Sequence, residues 1–178
     1  MRKIILIGGD LASGKSTYSS FLAKELNLTL LNKDRLKEIA GDIFFASNRE
    51  ENKKLSVLAF DYIKYFIETS TCNLIIESNF KDYEMKELKK ILKNDDVLSL
   101  RFTGNNDLLH KRFLERLNNN RHYVHKSQDF SKLEDFVATL DELRKVQYIG
   151  KVINIQVDDN YLTDNKELLL EIKDFLAK

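Results

Sequence analysis

Residues Ile4–Tyr18 read IILIGGDLASGKSTY, a short apolar run that gives way to glycines and then to a lysine and two hydroxyl residues. The segment from Gly9 to Ser16 fits the pattern G-x-x-x-x-G-K-[ST] at every fixed position. The apolar run predicts a buried strand, and the residues that follow the pattern predict a helix, which is the context that this pattern requires. The stretch therefore predicts a strand, a loop that surrounds phosphate groups, and a helix.

The backbone of this loop accounts for the expected phosphate binding. Glycines allow N–H groups to turn inward, and the start of the helix adds the positive end of its dipole. Lys15 is expected to reach the β- and γ-phosphates, Ser16 to coordinate Mg²⁺, and Thr17 to contact the α-phosphate. The predicted nucleotide-binding residues of the loop are Gly9, Ala12, Ser13, Gly14, Lys15, Ser16 and Thr17. The alternative is a plain glycine-rich turn between a strand and a helix.

Composition sets limits on the class of protein. The chain has 178 residues, of which 43% are hydrophobic and 32% charged, and this predicts a single globular domain over 1–178. The net charge of +1 provides no global field that would recruit nucleic acid or an anionic membrane. The apolar run from Ile4 to Ile7 is too short for a signal peptide or a membrane span. We therefore expect a cytoplasmic protein without membrane association, as a monomer or a small homo-oligomer.

Short apolar runs alternate with longer amphipathic segments along the chain. The predicted strands span 3–8, 28–32, 73–78, 96–102 and 151–157. The predicted helices span 16–26, 34–40, 50–68, 83–93, 105–117, 131–146 and 164–177. This alternation indicates an α/β fold, a parallel sheet covered by helices on both faces.

Two patterns give finer expectations about the helices. Ser131 and Glu134 have the spacing of a capping box at the start of a helix. Within 50–68, five large apolar residues recur at helical spacing and are expected to form core or a pocket wall. They are Leu55, Leu58, Tyr62, Tyr65 and Phe66.

Ligands of such sheets bind at the carboxyl ends of the strands, so the residues that follow each strand are candidates for chemistry. Asp34 follows the second strand and is expected close to the phosphate loop. Its carboxylate would accept the proton of a substrate hydroxyl, hold Mg²⁺ through water, or cap the next helix. Arg35 would neutralise substrate charge or remain solvated.

The third strand ends in an acid. Glu77 stands after Leu74, Ile75 and Ile76, where it would hold Mg²⁺ or its water shell, or hydrogen-bond the substrate. Because a buried carboxylate is costly, Glu77 is expected to have a polar or charged partner. Asn79 begins the next loop and is a candidate for the wall of an acceptor pocket.

A basic segment at about 112–130 is the predicted lid. Arg112 and Arg116 are four residues apart on one helix face and repel each other, and bound phosphates would relieve that repulsion. Arg121 follows the helix, and its planar guanidinium suits the clamping of a phosphoryl group. The alternative is a solvated basic helix face with a polar loop. The histidines cluster with arginines and lack metal-ligand spacing, so zinc is not expected.

Together these residues resemble the small P-loop kinases of the adenylate-kinase-like type. The resemblance is nearest to the group that contains zeta toxins, chloramphenicol phosphotransferase and the kinase part of polynucleotide kinase. It runs through the loop of Gly9 to Thr17, the acids Asp34 and Glu77, and the R-x-x-x-R pair of Arg112 and Arg116.

The chain also departs from the pattern of that group. Its 121–125 stretch is RHYVH, where members often carry RHPGH. Lys37 stands where many members have an arginine, and Glu77 stands where members often have an aspartate. These departures leave the identity of the substrate open.

The resemblance implies a P-loop NTPase fold, a three-layer αβα sandwich with a five-stranded parallel sheet. It implies transfer of a phosphoryl group from ATP·Mg²⁺ to a hydroxyl, with Arg112 near the adenine or the phosphates. It further implies that Asp158 bounds the adenine pocket and that Asp10 faces the acceptor side. The absence of a guanine-selective N-K-x-D motif favours ATP over GTP.

The leading functional prediction is a kinase of a small-molecule hydroxyl. The predicted catalytic residues are Lys15, Asp34, Arg112, Arg116 and Arg121. The predicted substrate-binding residues are Asp10, Asp34, Arg35, Glu77 and Asn79, and the predicted metal ligands are Ser16 and Glu77.

Two alternatives remain open at the level of sequence. A kinase of 5′-hydroxyl nucleic-acid ends would use a basic track of Lys33, Arg35, Lys37 and Arg49, although the neutral overall charge does not favour nucleic acid. A nucleotide-dependent switch would need no phosphate acceptor.

Overall fold

A sheet of five parallel strands forms the centre of the computed structural model, which describes residues 1–46, 48–119, 121–126, 130–158 and 165–178. The strands are β1 (Lys3–Gly9), β2 (Thr29–Asn32), β3 (Leu74–Glu77), β4 (Asp96–Gly104) and β5 (Lys151–Val157). Their order across the sheet is β2-β3-β1-β4-β5. The predicted α/β class and the predicted five-stranded parallel sheet are confirmed.

β1 occupies the middle of the sheet, a place that suits its continuous aliphatic sequence. All of its residues are buried, and its run of four aliphatic side chains is typical of a strand covered on both faces. Ile5 lies in register with Ile75 of β3 on one side and with Leu98 of β4 on the other. The loop that follows β1 therefore leaves the sheet at its centre.

Helices cover the two faces of the sheet. They are α1 (Lys15–Glu25), α2 (Lys33–Phe44), α3 (Arg49–Thr69), α4 (Asp82–Ile91), α5 (Asn106–Asn118), α6 (Leu133–Arg144) and α7 (Lys166–Ala177). On one face, Leu22 of α1 and Ile172 of α7 share a core with Ile5. On the other face, Ile63 of α3 and Leu88 of α4 share a core with Ile4. Alternate residues of β1 thus point into two cores, which gives the predicted three layers.

A third apolar cluster joins α5 and α6 to the loop after β1. Phe113 of α5 packs against Phe130 and Phe136 with ring centroids 5.4 Å apart in both cases. Ala12 of the loop belongs to the same cluster. A short 3₁₀ turn, Tyr123–His125, lies between the two helices and buries Val124. The α5–α6 unit is therefore held directly over the loop.

Several local predictions are wrong in detail. In α3, Leu58, Tyr62 and Tyr65 are 46%, 48% and 62% exposed. The buried face of α3 consists of Asn52, Leu55, Ala59, Phe60, Ile63 and Ile67. The face of α3 that packs against the sheet lies one residue further along the helix than predicted. Ala59 and Ile63 are therefore buried, and Leu58 and Tyr62 are exposed.

Helix ends also differ from prediction. The N-cap of α6 is Lys132, without a side-chain cap, so the helix begins one residue beyond the start that the capping-box pattern of Ser131 and Glu134 predicts. α2 runs to Phe44, beyond its predicted end at Ala40. The predicted start of the last helix, Asp164, lies outside the described residues. Within the described ranges, no helix is long and apolar enough to cross a membrane.

Candidate functional site

The loop between β1 and α1 has a backbone that only particular residues can adopt. Gly9 (φ 119°), Ala12 (φ 57°) and Gly14 (φ 84°) all have positive φ. A Cβ on Gly9 would lie 2.0 Å from the carbonyl oxygen of Phe102, so no larger residue fits there. Left-handed residues interspersed in a loop create the concave arrangement of N–H groups that binds anions. The sequence pattern and the observed backbone therefore agree.

The N-terminus of α1 lacks a neutralising group of its own. Its N-cap Gly14 has no side-chain cap, and no acid stands in the first turn. The positive end of the helix dipole therefore faces the concave loop without an acidic residue or a side-chain cap from α1 itself. This is the arrangement expected of a binding site for nucleotide phosphates.

Lys15 folds back into the loop. Its Nζ donates to the carbonyl oxygen of Asp10 and lies 3.3 Å from Ser13 Oγ. Burial lowers the pKa of Lys15, while the negative charges of Glu77, Asp34 and Asp10 oppose that shift. In the structure this buried ammonium contacts two neutral oxygens. A bound phosphate chain would give it an anionic partner instead.

Ser16 and Glu77 lie opposite each other across the start of α1. Glu77 Oε2 accepts from Ser16 Oγ at 3.2 Å and from the side-chain amide of Asn32, its register partner in β2. Burial raises the pKa of Glu77 to about 7; Lys15 lowers it and the charge of Asp34 raises it further. The sequence-based expectation of a polar partner for this acid is met.

This hydroxyl and carboxylate suit Mg²⁺. Among the described residues, no group of three or more His, Cys, Asp or Glu side chains is placed to hold a metal by itself. Mg²⁺ typically takes only one or two protein oxygens and completes its octahedron with substrate phosphates and water. Ser16 and Glu77 offer such a pair beside the phosphate loop.

Asp34 lies in the first turn of α2, but it does not cap that helix. The capping residue is Asn32, whose side chain accepts from the N–H of Arg35 at 2.8 Å. Asp34 instead lines two adjoining cavities. Of the three roles that the sequence left open for Asp34, capping is thus taken by its neighbour.

The two cavities meet at the end of the loop. We call the smaller one, about 40 Å³, the phosphate pocket, because residues Leu11 to Ser16 of the loop form much of its wall. The larger one, about 300 Å³, is the outer cavity, which lies between α2, α3 and the α5–α6 unit. The residues common to both are Leu11, Asp34, Asn79, Phe113 and Arg121. A ligand in the outer cavity would therefore reach the phosphate pocket at Asp34 and Arg121.

The predicted arginines surround the loop. Arg116 lines the phosphate pocket, and Arg112 lies further out with Arg116 on a surface that also includes Ala12 and Gly14. Arg112 Nη2 donates to the carbonyl oxygen of Asp158 at 2.9 Å. Desolvation and then repulsion from Arg112 lower the pKa of Arg116. The structure brings this pair together as the spacing predicts.

Arg121 occupies the junction of the two cavities. Its guanidinium stacks on Phe113 at 4.8 Å, and its buried Nη1 has no hydrogen-bond partner in the described part of the chain. Desolvation lowers the pKa of Arg121, against the attraction of Asp34. A buried donor without a partner is costly and indicates a place where a ligand oxygen fits.

Asp10 was expected to face the acceptor side, and the structure shows that it does not. Its carboxylate is fully buried and accepts from Arg144 Nη2 at 2.7 Å and from the N–H of Gly104 at 3.1 Å. Arg144 also donates to the carbonyl oxygen of Gly104 at 2.9 Å. Asp10 therefore fixes the loop to the end of β4 and to α6, because its short side chain points back under the loop.

Other predicted residues also lie away from the cavities. Arg35 is exposed, pairs with Glu38 at 2.9 Å, and lines neither cavity. Thr17 is exposed on the first turn of α1 and lines neither cavity. Asp158 contacts Arg112 through its backbone oxygen. Asn79 lies where predicted, at the junction.

Sequence reasoning missed two groups of residues. Arg144 stands at the end of a helix far along the chain, and nothing in its local sequence distinguishes it from a solvated arginine. On α3, the missed residues are Asn52, Lys53 and Ser56, which line the outer cavity together with Arg49, a residue that the sequence had offered only for a basic track toward nucleic acid. Counted from Arg49, these residues stand at positions i+3, i+4 and i+7, which lie on one face of a helix. This polar periodicity is the sequence signal that could have identified them.

Comparisons with known proteins place the fold. No protein-family model and no curated protein matches the chain. A putative kinase from Chloroflexus aurantiacus is similar over 98% of both chains, with 23% identity and a TM-score of 0.78. A gluconokinase from Sinorhizobium meliloti is similar over 99% of this chain and 94% of its own chain, with 15% identity and a TM-score of 0.63.

A shikimate kinase from Aquifex aeolicus is also similar, with 17% identity, 98% coverage of both chains and a TM-score of 0.62. These identities are low, and what the likeness shows is the fold. The chain has the same α/β P-loop fold as these solved structures, which confirms the expected fold.

Proposed function

We propose that this protein transfers the γ-phosphoryl group of ATP to a hydroxyl of a small molecule, with Mg²⁺. The observation that carries the proposal is the junction at Asp34 and Arg121, where a pocket built on the phosphate loop opens into a second cavity. The names of the structural neighbours, which include gluconokinase and shikimate kinase, support the same class of activity.

In the proposed reaction, the acceptor hydroxyl lies in the outer cavity beside Asp34. Its oxygen attacks the γ-phosphorus, the bond from that phosphorus to the β,γ-bridging oxygen breaks, and ADP leaves. The hydroxyl proton passes to the Asp34 carboxylate, because Asp34 is the only carboxylic acid among the described residues that line both cavities.

Cations around the loop stabilise the charge that develops during transfer. Lys15 releases the Asp10 carbonyl and binds phosphate oxygens, while Arg116 and Arg121 flank the transferring group. Mg²⁺, held by Ser16 and Glu77, would neutralise phosphate charge and align the γ-phosphoryl group. Arg112 lies outside the phosphate pocket and is placed to contact the nucleotide beyond it.

Two variants test this assignment. Asp34→Asn keeps the size of the side chain but removes the base, so we expect ATP affinity within about threefold of wild type and transfer reduced by at least about a hundredfold. Lys15→Ala is expected to abolish transfer and to weaken ATP binding. Transfer is measured with γ-labelled ATP and a panel of hydroxyl compounds, and ATP affinity by calorimetry.

The control is Asp82→Asn, which alters an exposed acid paired with Lys86 at 2.6 Å on the surface of α4. It should retain wild-type transfer. Near-normal transfer by Asp34→Asn would overturn the base assignment, and ATP turnover that no hydroxyl compound accelerates would favour the nucleotide-dependent switch.

The outer cavity favours a small molecule over a nucleic-acid end. Its aromatic residues, Phe113 and Phe130, are buried and pack on each other, so they offer no platform on which bases could stack. Its volume of about 300 Å³ lies at the lower end of the range for small-molecule sites.

A further inference from the structure

We infer that the phosphate acceptor carries an anionic group, a phosphate or a carboxylate, in addition to the hydroxyl that is phosphorylated. The inference deepens the proposed function and rests on it, since it takes the outer cavity as the acceptor site. It is based on the side chains that line that cavity, which are mostly positive, whereas the chain as a whole is nearly neutral.

Cations dominate the lining of the outer cavity. They are Lys33, Lys37, Arg49, Lys53, Lys81 and Arg121. Among the described lining residues, Asp34 is the sole carboxylate. The chain as a whole has a net charge of only +1, so its positive charge is concentrated at this place. A concave site of one sign attracts ligands of the opposite sign.

Most of these cations have no anionic partner. Lys33 is neutralised by the buried Glu84. None of the other five forms an ion pair with a carboxylate within the residues that the structure describes. Desolvation lowers the pKa of Lys37; the charge of Asp34 opposes that shift, and repulsion from Lys33, Lys81 and Arg121 adds to it. Such mutual repulsion persists in the ligand-free protein, and an anion would remove it.

The cavity separates into two ends. At the junction with the phosphate pocket, Asp34 and Asn79 are available to the reacting hydroxyl, and the buried Oδ1 of Asn79 has no hydrogen-bond partner among described residues. Arg49, Lys53 and Ser56 lie on one face of α3 and line only the outer cavity. We place the hydroxyl at the first end and the anionic group against α3.

Arg49 and Lys53 are the key residues of this assignment because both are exposed residues that line the outer cavity, and neither belongs to the proposed base or metal site. Arginine and lysine are the usual partners of phosphate and carboxylate oxygens, as a planar fork and a point charge. The adjacent Lys54 provides a matched control: it is exposed, pairs with Glu50 at 3.4 Å, and does not line the cavity.

The first experiment measures binding without turnover. The phosphate loop is saturated with a non-hydrolysable ATP analogue and Mg²⁺, and ligands are then titrated by calorimetry. The probes are glycerol, glycerate and glycerol 3-phosphate, ribose and ribose 5-phosphate, and inorganic phosphate. We expect the charged members to bind at least about tenfold more tightly than the neutral ones, and the difference to shrink as salt is raised.

The double variant Arg49→Gln/Lys53→Gln should weaken binding of the charged probes by about tenfold or more, while the ATP analogue binds as in wild type. Lys54→Gln should bind all probes as wild type does. Equal affinity for charged and neutral probes, or charged-probe binding unchanged in the double variant, would overturn the inference. The ratio of glycerate to glycerol 3-phosphate affinity distinguishes carboxylate from phosphate.

A transfer assay with γ-labelled ATP separates the two proposals. Transfer to charged members of each pair, with KM raised and kcat retained in the double variant, supports both. Transfer to neutral members with equal efficiency contradicts the anionic acceptor but leaves the kinase intact. Anion binding at α3 without transfer to any probe, together with ATP hydrolysis that no probe accelerates, supports the anion site and contradicts the kinase.

Discussion

Arg144 connects the phosphate loop to the rest of the molecule through one side chain. Its guanidinium bonds both the Asp10 carboxylate and the Gly104 carbonyl, so the loop, β4 and α6 share a single polar contact. Because Asp10 is fully buried, the partner must be present for its charge to be tolerated. Arg144 is thus a positioning residue for the loop.

We predict that Arg144→Ala lowers the free energy of unfolding by about 3 kcal/mol, since it leaves a buried carboxylate without its cation. ATP affinity should fall as well, because the loop loses its anchor. The control is Lys145→Ala, whose pair with Glu142 is exposed and screened by solvent, so its free energy of unfolding should stay close to that of wild type. Urea titrations compare the variants, and equal stability of Arg144→Ala and Lys145→Ala would refute the anchoring role.

Glu77 gives a second prediction at the level of the residue. Glu77→Gln preserves an acceptor oxygen for Ser16 and Asn32 but removes the negative charge offered to Mg²⁺. The Mg²⁺ concentration for half-maximal transfer should rise by about tenfold or more, while ATP binding in EDTA stays near wild type. Transfer rates over a Mg²⁺ series provide the measurement, and an unchanged Mg²⁺ requirement would remove Glu77 from the metal site.

Among the elements, the strand, loop and helix at the phosphate loop could be predicted from sequence, whereas the packing of α6 and the buried face of α3 could not. The β1–loop–α1 unit has a local pattern in which strand, turn and helix signals agree, so Gly9, Lys15 and Ser16 were placed correctly. Asp10 and Arg144 are 134 positions apart, and their pairing depends on how α6 packs. In α3, the periodicity of the sequence correctly predicts a helix. It assigns Tyr62 and Tyr65 to the wrong face, because apolar residues occur on both the buried and the exposed face of this helix.

The 3₁₀ turn closes the outer cavity against α2. His125 Nε2 lies 3.1 Å from Glu38, and Tyr123 donates to the carbonyl oxygen of Gly41. Burial lowers the pKa of His125, with opposing effects from Asp34 and from Glu38. The lowered pKa favours the neutral imidazole, whose contact with Glu38 is a hydrogen bond.

This gives a pH prediction for the turn. A histidine whose pKa is lowered in the folded state takes up its proton more readily when unfolded, so the free energy of unfolding falls as the pH drops through about 6.5, the usual value. His125→Gln should reduce this pH dependence between pH 7.5 and 5.5. Urea titrations at both pH values test it, and an identical pH dependence in the variant would contradict a neutral, buried His125.

At the scale of the whole molecule, the ligand-free protein carries unpaired charge where its proposed ligands bind. Positive side chains converge on the two cavities while the rest of the surface balances them, which is why the net charge of +1 concealed the site. Sequence identified several of these cations singly. Their convergence required the strand order β2-β3-β1-β4-β5, which brings α2 and α3 beside the loop.

The cost of that unpaired charge implies a large gain in stability on nucleotide binding. At a hundred times its Kd, a ligand that binds only the folded state adds about 2.7 kcal/mol to the free energy of unfolding. A non-hydrolysable ATP analogue with Mg²⁺ should therefore raise the Tm by about 5 °C or more. Lys15→Ala should lose this shift, because the ammonium that meets the phosphates is gone.

EDTA distinguishes the contribution of the metal from that of the loop. Without Mg²⁺, the analogue should still stabilise the wild-type protein, by a smaller amount, because Lys15 and the N-terminus of α1 bind phosphate oxygens without it. Thermal unfolding with and without EDTA measures both contributions. A Tm shift in Lys15→Ala equal to that of wild type would mean that the nucleotide binds elsewhere, and it would separate the loop from the proposed chemistry.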